Sequence, residues 1–118
     1  MAALPRDTDL SFLQGKMLSQ VCIGATEVNL HFDDDVSIEI AQGVGHRSAG
    51  ELMAIYKTSI PAAPMLTSFL LQSIVKWSVE PLGTLVLEFS NQETLEIYYN
   101  DEAVDSYAIS SRDKSIVV

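Results

Sequence analysis

The feature that most constrains the fold of this chain is an internal repeat at an offset of 57 residues. Segments 11–40 and 68–97 align without a gap and are identical at seven of the 30 positions. Ordinary residue usage alone would give roughly two identities over that length. The match is densest between LHFDDDVSIEI at 30–40 and LEFSNQETLEI at 87–97, which share one apolar skeleton. The repeat therefore predicts two halves with the same local structure.

Each half is expected to begin with a short helical segment and to continue with three strands. Asp9 can cap the first helical segment, and Pro64 stands where the first turn of the second would lie. The strand segments alternate apolar and polar residues, which is typical of an antiparallel sheet with one buried face. The pattern therefore predicts that each half is an αβββ unit.

The same alternation predicts the register of the hairpin in each half. A three-residue turn at 33–35 sets Leu30 opposite Ile38, and the equivalent turn in the second half sets Leu87 opposite Leu95. A slip of one residue would turn the apolar side chains toward water. We therefore expect this register in both hairpins.

Residues 42–63 lie outside the repeat and are expected to connect the two halves. Ser48 and Glu51 form a capping-box pattern that favours a helix over 49–57, although the apolar run there also fits a strand. The glycines around HRS in this segment match no phosphate-binding fingerprint and favour a flexible linker over an anion site. The connection is therefore expected to be mainly a linker.

The repeat and the C-terminal segment together define the predicted architecture. Residues 104–118 fit two more strands around a polar turn. The chain is thus expected to be a single α+β domain spanning 1–118. Its internally duplicated αβββ halves, at about 9–41 and 66–99, would form a six- to eight-stranded, mainly antiparallel sheet with short helices.

The composition indicates a soluble domain with a strong negative charge. Sixteen acidic residues stand against seven basic ones, for a net charge of −9. This charge disfavours nucleic acid and anionic lipid as partners and favours a basic protein. Lys76 interrupts the most apolar region, no secretory leader is visible, and Cys22 is the single cysteine. We therefore expect a cytoplasmic protein.

Few residues in the chain suggest catalysis or metal binding. His31 and His46 are the only histidines, and neither belongs to a recognisable catalytic spacing. Cys22 is expected to be a small buried hydrophobic side chain. The three aspartates at 33–35 lack the alternating ligands, glycine and distal glutamate of a calcium loop. We therefore predict no catalytic residue, no metal site and no cofactor.

The outward-facing residues of the two hairpins are the predicted contact surface for a protein partner. Acidic side chains can attract a basic partner, and tyrosine combines a large contact area with a polar group. The predicted partner-binding residues are His31, Asp33, Asp34, Asp35, Glu39, Glu88, Glu96 and Tyr98.

Two stretches of the chain resemble a family of small bacterial proteins. They are QVCIGATEVNLHFDDDVSIEI at 20–40 and the ending VDSYAISSRDKSIVV at 104–118. In that family a QVCIG strand leads into a V-x-L-x-F-D hairpin, and a Y-E-S-[YF]-x-I strand precedes a terminal I-V-V. The chain departs from this pattern at Val104 and Asp105, where the family more often has Tyr and Glu. The resemblance implies no catalytic residues.

The small size, the acidity and the lack of enzyme motifs are also similar in character to bacterial immunity proteins of the contact-dependent growth inhibition type. This similarity implies a non-enzymatic protein that binds and neutralises a cognate toxin domain. Two alternatives remain open. One is a small-ligand-binding or enzymatic domain that uses the face of His31 and Glu39 or the Gly43–Gly50 loop. The other is a structural homodimer joined through an exposed sheet edge.

Overall fold

The fold is known from a computed structural model that describes residues 3–101 and 105–118. These residues form ten strands in two antiparallel sheets, one α-helix and two single-turn 3-10 helices, at Ser11–Leu13 and Asp33–Asp35. The α-helix, α1, spans Ser59–Thr67. The strands are β1 (Leu18–Ile23), β2 (Val28–Phe32), β3 (Ser37–Ile40), β4 (Val44–Ser48), β5 (Glu51–Tyr56), β6 (Ile74–Val79), β7 (Leu85–Phe89), β8 (Glu93–Ile97), β9 (Tyr107–Ser110) and β10 (Ser115–Val117).

The ten strands divide into two five-stranded sheets, so the expectation of one six- to eight-stranded sheet was wrong. Sheet 1 has the order β1-β2-β3-β9-β10, and sheet 2 has the order β5-β4-β8-β7-β6. The hairpin β4–β5 follows β3 in the chain but pairs with β8, whereas β9–β10 follows β8 but pairs with β3. Each half of the chain therefore supplies the outer hairpin of the other half's sheet.

The predicted hairpin registers are confirmed. Leu30 pairs with Ile38 across β2 and β3, and Leu87 pairs with Leu95 across β7 and β8. The backbone N–H of Phe32 closes the first turn by donating to the carbonyl of Val36 at 2.8 Å. The two three-stranded segments thus share one register. The duplication that would explain this likeness stays a prediction.

The inner faces of the two sheets meet in one hydrophobic core. The inward-facing residues of β2 and β3 and those of β7 and β8 are almost fully buried and belong to a single cluster. Phe32 of sheet 1 and Phe89 of sheet 2 stack with ring centroids 6.4 Å apart, and Phe69 packs edge-on against Phe89 at 4.8 Å. The outer faces of the sheets therefore look away from each other.

The segment expected to connect the halves is instead a hairpin followed by a helix. Residues 51–56 form strand β5, so the helix favoured over 49–57 was wrong. Ser48 and Glu51 do not form a capping box but face each other across the β4–β5 hairpin. Ala49 and Gly50 have φ values of 52° and 83°. Positive φ at both central residues is the signature of a type I′ hairpin turn, whose twist matches that of the strands.

Both predicted helical segments contribute side chains to the core. Leu10, and not the predicted Asp9, is the N-cap of the first segment, but the Asp9 carboxylate does accept the N–H of Ser11 at 2.9 Å. Helix α1 starts earlier than expected, so Pro64 lies inside the helix and not in its first turn. The Ser59 hydroxyl donates to the carbonyl of Gly24 at 2.6 Å and fixes the start of α1 against the β1–β2 turn.

The C-terminal segment forms the two predicted strands, β9 and β10, which pair with each other across a polar turn. Part of the predicted range, 104–118, lies outside the described residues, and this includes Val104. The terminal carboxyl region packs inward, where Val118 is almost fully buried and its N–H donates to the carbonyl of Tyr107 at 2.8 Å.

Candidate binding surfaces

The outer face of sheet 1 carries mostly small polar side chains. The strand registers place them in two rows across all five strands. The first row is Gln20, His31, Ser37, Ser110 and Ser115, and the second is Cys22, Asn29, Glu39, Ala108 and Val117. No Lys or Arg occurs in any of these five strands. The result is a surface that is polar, weakly acidic and composed mostly of small side chains.

His31 and Glu39 lie on this face, as predicted. His31 is opposite Ser37, and Glu39 is opposite both Asn29 and Ala108. Within the described residues, the side chains of His31, Asn29 and Glu39 make no hydrogen bond or ion pair with the rest of the chain. Polar groups in this state remain available to bind another molecule.

The three aspartates at 33–35 form the tip of the β2–β3 hairpin, and each has a partner within the chain. The Asp33 carboxylate accepts the N–H of Met17 at 3.1 Å. Asp34 forms an ion pair with Lys16 at 3.0 Å, and Asp35 forms one with Arg112 at 2.8 Å.

The ion pairs of this tip are exposed to solvent. The side chains of Asp34 and Asp35 are 75% and 67% exposed. Exposed ion pairs of this kind are worth little, because solvent and salt screen them. Hydrogen bonding to the Asp35 carboxylate nevertheless raises the pKa of Arg112. Both aspartates can therefore exchange their partners for those of another protein at small cost.

The tip does not have the arrangement of a metal site. In the part of the chain that the structure describes, no group of three or more His, Cys, Asp or Glu side chains is placed to hold a metal ion. The two residues Asp34 and Asp35 have φ values of 57° and 61°, and this left-handed backbone is more accessible to aspartate than to most residues.

The outer face of sheet 2 differs, because its glutamates are matched by basic residues. Arg47 Nε donates to Glu96 Oε2 at 2.8 Å, and Tyr98 Oη donates to Glu96 Oε1 at 2.9 Å. Burial first, and then the hydrogen bond to Glu96, raise the pKa of Tyr98 to about 12. Glu88 is opposite Lys76 in the strand register. Glu96 is thus compensated within the chain, whereas Glu88 lies opposite Lys76 without an ion pair among the described residues.

Gly45 explains how Tyr98 lies flat on sheet 2. A Cβ atom at Gly45 would stand 2.0 Å from Tyr98 Oη and 3.1 Å from Glu96 Oε1. Only glycine leaves room for the phenol ring to cross β4 and reach the carboxylate. Sequence reasoning treated this glycine as part of a linker and missed its role.

The eight predicted contact residues therefore fall into two groups on opposite sides of the molecule. His31, Glu39 and the three aspartates belong to sheet 1, whereas Glu88, Glu96 and Tyr98 belong to sheet 2. The repeat makes Glu39 and Glu96 equivalent, yet Glu96 has two side-chain partners and Glu39 has none among the described residues. The difference comes from the neighbouring hairpin, which supplies Arg47 to sheet 2 and a serine to sheet 1 at the matching position.

A histidine with a carboxylate partner does exist, but it is His46 and not His31. His46 Nε2 lies 2.9 Å from Glu93 Oε1, and the imidazole packs edge-on against Phe69 with centroids 5.8 Å apart. The pKa of Glu93 is lowered, first by a hydrogen bond from Ser48 and also by His46. This cluster lies at the end of the inner face of sheet 2 and braces β4 against β8.

Two further surface features were not predicted. Cys22 is partly exposed on the outer face of sheet 1 beside Asn29, so its assignment to the core was wrong. The edge strand β5 exposes three large apolar residues, Leu52, Met53 and Ile55. The sequence signal for the second feature was the apolar run LMAIY, for which a helix was favoured and a strand was the alternative.

Comparisons with known proteins add no relative from which a function could be transferred. No family model matches the chain, and no similar protein is found among curated sequences or among solved structures. No helix within the two described segments is long and apolar enough to cross a membrane. The inference of function therefore rests on the surfaces described above.

Proposed function

We propose that this chain is a non-enzymatic protein-binding module that uses the outer face of sheet 1 around the β2–β3 hairpin. The observation that carries the proposal is the contrast between Glu39 and its repeat equivalent Glu96. Glu96 is occupied by Arg47 and Tyr98, whereas Glu39 has no partner in the described chain and lies on a face without basic residues. Because the hairpin face around Glu96 is compensated and the equivalent face around Glu39 is not, the second face is free to bind another protein.

The partner that suits this surface is a basic protein, and we propose a cognate toxin domain that the chain neutralises in the cytoplasm as an immunity protein. The net charge of −9 supports this choice, since an acidic protein attracts a basic partner over distance. The exposed Asp34 and Asp35 at the hairpin tip would add to the attraction. His31 and Asn29 would supply hydrogen bonds at the centre of the contact.

The proposal is tested by co-expressing the chain with the product of the adjacent gene. We expect the pair to co-purify and the chain to protect cells from that product. Raising the salt concentration should weaken the association, because screening reduces the attraction between exposed charges. A harmless neighbour that does not bind would contradict the immunity function, and a complex insensitive to salt would contradict the acidic surface.

A charge reversal locates the contact. Glu39→Lys should weaken binding by about tenfold, because it places a cation at the centre of the proposed surface. Glu80→Lys is the matched control, since it makes the same change in net charge at an exposed position directly after β6 in sheet 2, and it should alter the affinity by less than about twofold. Isothermal titration calorimetry of each variant with the partner measures the two dissociation constants. Equal effects would mean that net charge alone, and not this face, governs binding.

A further inference from the structure

Sheet 2 holds an arginine on its outer face in a fixed position relative to a glutamate. Glu96 lies in β8 opposite Gly45 of β4, and Arg47 is the next residue of β4 that faces outward. From this diagonal position Arg47 Nε donates to Glu96 Oε2 at 2.8 Å. The side chain of Glu96 is only 12% exposed. The guanidinium and the carboxylate therefore form an ordered, partly shielded ion pair on the surface of the sheet.

Sheet 1 has the same backbone arrangement but lacks the arginine. Strand β9 pairs with β3 so that Ala108 lies opposite Glu39, and Ser110 is the next residue of β9 that faces outward. Glu39 and Ser110 therefore stand in the same diagonal relation as the two members of the ion pair in sheet 2. Glu39 is exposed and has no side-chain partner among the described residues. The backbone positions of the ion pair are thus present in sheet 1, and its cation is missing.

The space beside Glu39 is open because the flanking side chains are small. Ser110 stands where sheet 2 has an arginine, and Ala41 stands where sheet 2 has Tyr98. The backbone N–H groups of Ala41 and Tyr98 make equivalent hydrogen bonds to the neighbouring segment, at 2.9 and 3.1 Å. Both carboxylate oxygens of Glu96 accept a side-chain donor. Neither oxygen of Glu39 does so within the described residues.

The equivalence of the two sheets ends at Ala108. Tyr98 lies across β4 because Gly45 has no Cβ, which would stand 2.0 Å from Tyr98 Oη. The methyl group of Ala108 blocks the same path across β9, so a ring cannot lie there in the same way. With no phenol on its second oxygen, Glu39 can accept two N–H groups of one guanidinium. Arginine offers this bidentate geometry, and the single ammonium of lysine does not.

From this equivalence we propose that Glu39 is the binding site for an arginine side chain of the protein partner. That arginine takes the place beside β9 that Arg47 takes on β4, with its guanidinium on both oxygens of Glu39. No Lys or Arg of the five strands of sheet 1 competes for the carboxylate. The inference rests on the proposed function and adds the chemical group that the partner presents.

Ser110→Arg tests the site by supplying the missing cation within the chain. The introduced guanidinium should donate to Glu39, so its Nε–H should give a nitrogen–proton NMR signal that is protected from exchange, like that of Arg47. Adding Glu39→Gln should remove the protection of the new signal and leave that of Arg47 unchanged. The same spectra show that both variants are folded. A new signal that is unprotected, or that does not respond to Glu39→Gln, would overturn the inference.

Acetylarginine amide and acetyllysine amide test the preference for a guanidinium without any partner protein. In NMR titrations of the full chain, acetylarginine amide should shift the backbone signals of 37–40 and 108–110 at about threefold lower concentration than acetyllysine amide. Ser110→Arg should abolish these shifts, because its own guanidinium occupies Glu39. Equal responses to the two amides, or shifts spread evenly over the acidic surface, would contradict an arginine site.

Binding of the product of the adjacent gene tests the site in the complex. Ser110→Arg should raise the dissociation constant at least about tenfold, because the carboxylate is already occupied. Ser110→Gln controls for side-chain length without charge. Ser78→Arg makes the same substitution at an exposed position of β6 in sheet 2. Each control should change the constant by less than about threefold.

The experiments separate this inference from the proposed function. Tight binding of the adjacent gene product that tolerates Ser110→Arg would overturn the arginine site and leave the immunity function standing. A harmless neighbour that does not bind would contradict the immunity function, whereas the two NMR experiments would still decide whether Glu39 binds a guanidinium.

Discussion

At the scale of single residues, the neighbour on the adjacent strand decides what a side chain can do. Glu39 and Glu96 occupy equivalent positions of the repeat, but only Glu96 has an arginine and a tyrosine beside it. The tyrosine reaches that carboxylate because residue 45 has no side chain. A glycine in the middle of a strand, normally unfavourable, here makes room for an ordered contact.

Gly45→Ala is expected to displace the Tyr98 ring from the surface of sheet 2. Because the added methyl group would overlap Tyr98 Oη, the ring must swing into solvent and lose its hydrogen bond to Glu96. The pKa of Tyr98, raised to about 12 in the wild type, should return toward the ordinary tyrosine value of about 10. Spectrophotometric titration of the tyrosines measures the change.

Tyr107 is the internal reference for this titration. Burial also raises the pKa of Tyr107, whose hydroxyl donates to the carbonyl of Gly83 far from residue 45, so this group should titrate as late as before. An unchanged Tyr98 titration in Gly45→Ala would contradict the role given to the glycine.

At the scale of secondary-structure elements, the residues at the turns explain why the β2–β3 and β7–β8 hairpins were predicted and the β4–β5 hairpin was not. Apolar and polar residues alternate regularly over 28–40 and 85–97, and this pattern predicts the strands, their register and their buried face. The β4–β5 hairpin turns at Ala49-Gly50, and alanine is unusual in the left-handed region that this turn requires. The preceding serine and the following glutamate then suggested a capping box.

Ala49→Asn is expected to stabilise the protein, because asparagine tolerates a positive φ better than alanine and Asn-Gly is a preferred type I′ pair. We expect the free energy of unfolding to rise by about 0.5–1 kcal/mol. Ala49→Val is the opposing control, since a β-branched residue is strained at this φ and should destabilise the hairpin. Chemical denaturation measures both, and a stabilising valine would contradict the assigned turn.

At the scale of the whole molecule, the exchange of hairpins between the halves ties the two sheets into one structure. Neither sheet can be completed by a continuous stretch of chain, because β4–β5 and β9–β10 each cross to the sheet of the other half. The aromatic contact of Phe89 with Phe32 and Phe69 lies where the sheets meet. We therefore expect the two sheets to unfold together.

Phe89→Ala tests this coupling, because it removes a fully buried ring that touches both sheets. The expected loss is about 3–5 kcal/mol in the free energy of unfolding, with one cooperative transition retained. Val75→Ala, at a half-exposed position of β6, should cost less than about 1 kcal/mol. Near-ultraviolet and far-ultraviolet circular dichroism should give the same midpoint. Separate transitions for the two sheets would contradict a shared core.

The sequence by itself determined the local structure of the repeat and which of its polar side chains face outward. The apolar skeleton shared by 30–40 and 87–97 specified both hairpins, because a period of two and a buried face admit only one register. It also specified that His31 and Glu39 face outward, since they alternate with the core residues. The C-terminal strand pair followed from the same reasoning.

Only the tertiary structure decided which strands became neighbours. Local pattern does not say whether β4–β5 pairs with β3, beside it in the chain, or with β8, and the choice of β8 produced two sheets in place of one. That choice placed Arg47 next to Glu96, left Glu39 without a partner among the residues that the structure describes, and exposed the edge of β5. The physical reason is that burial of two apolar sheet faces against each other depends on long-range pairing, which no local periodicity encodes.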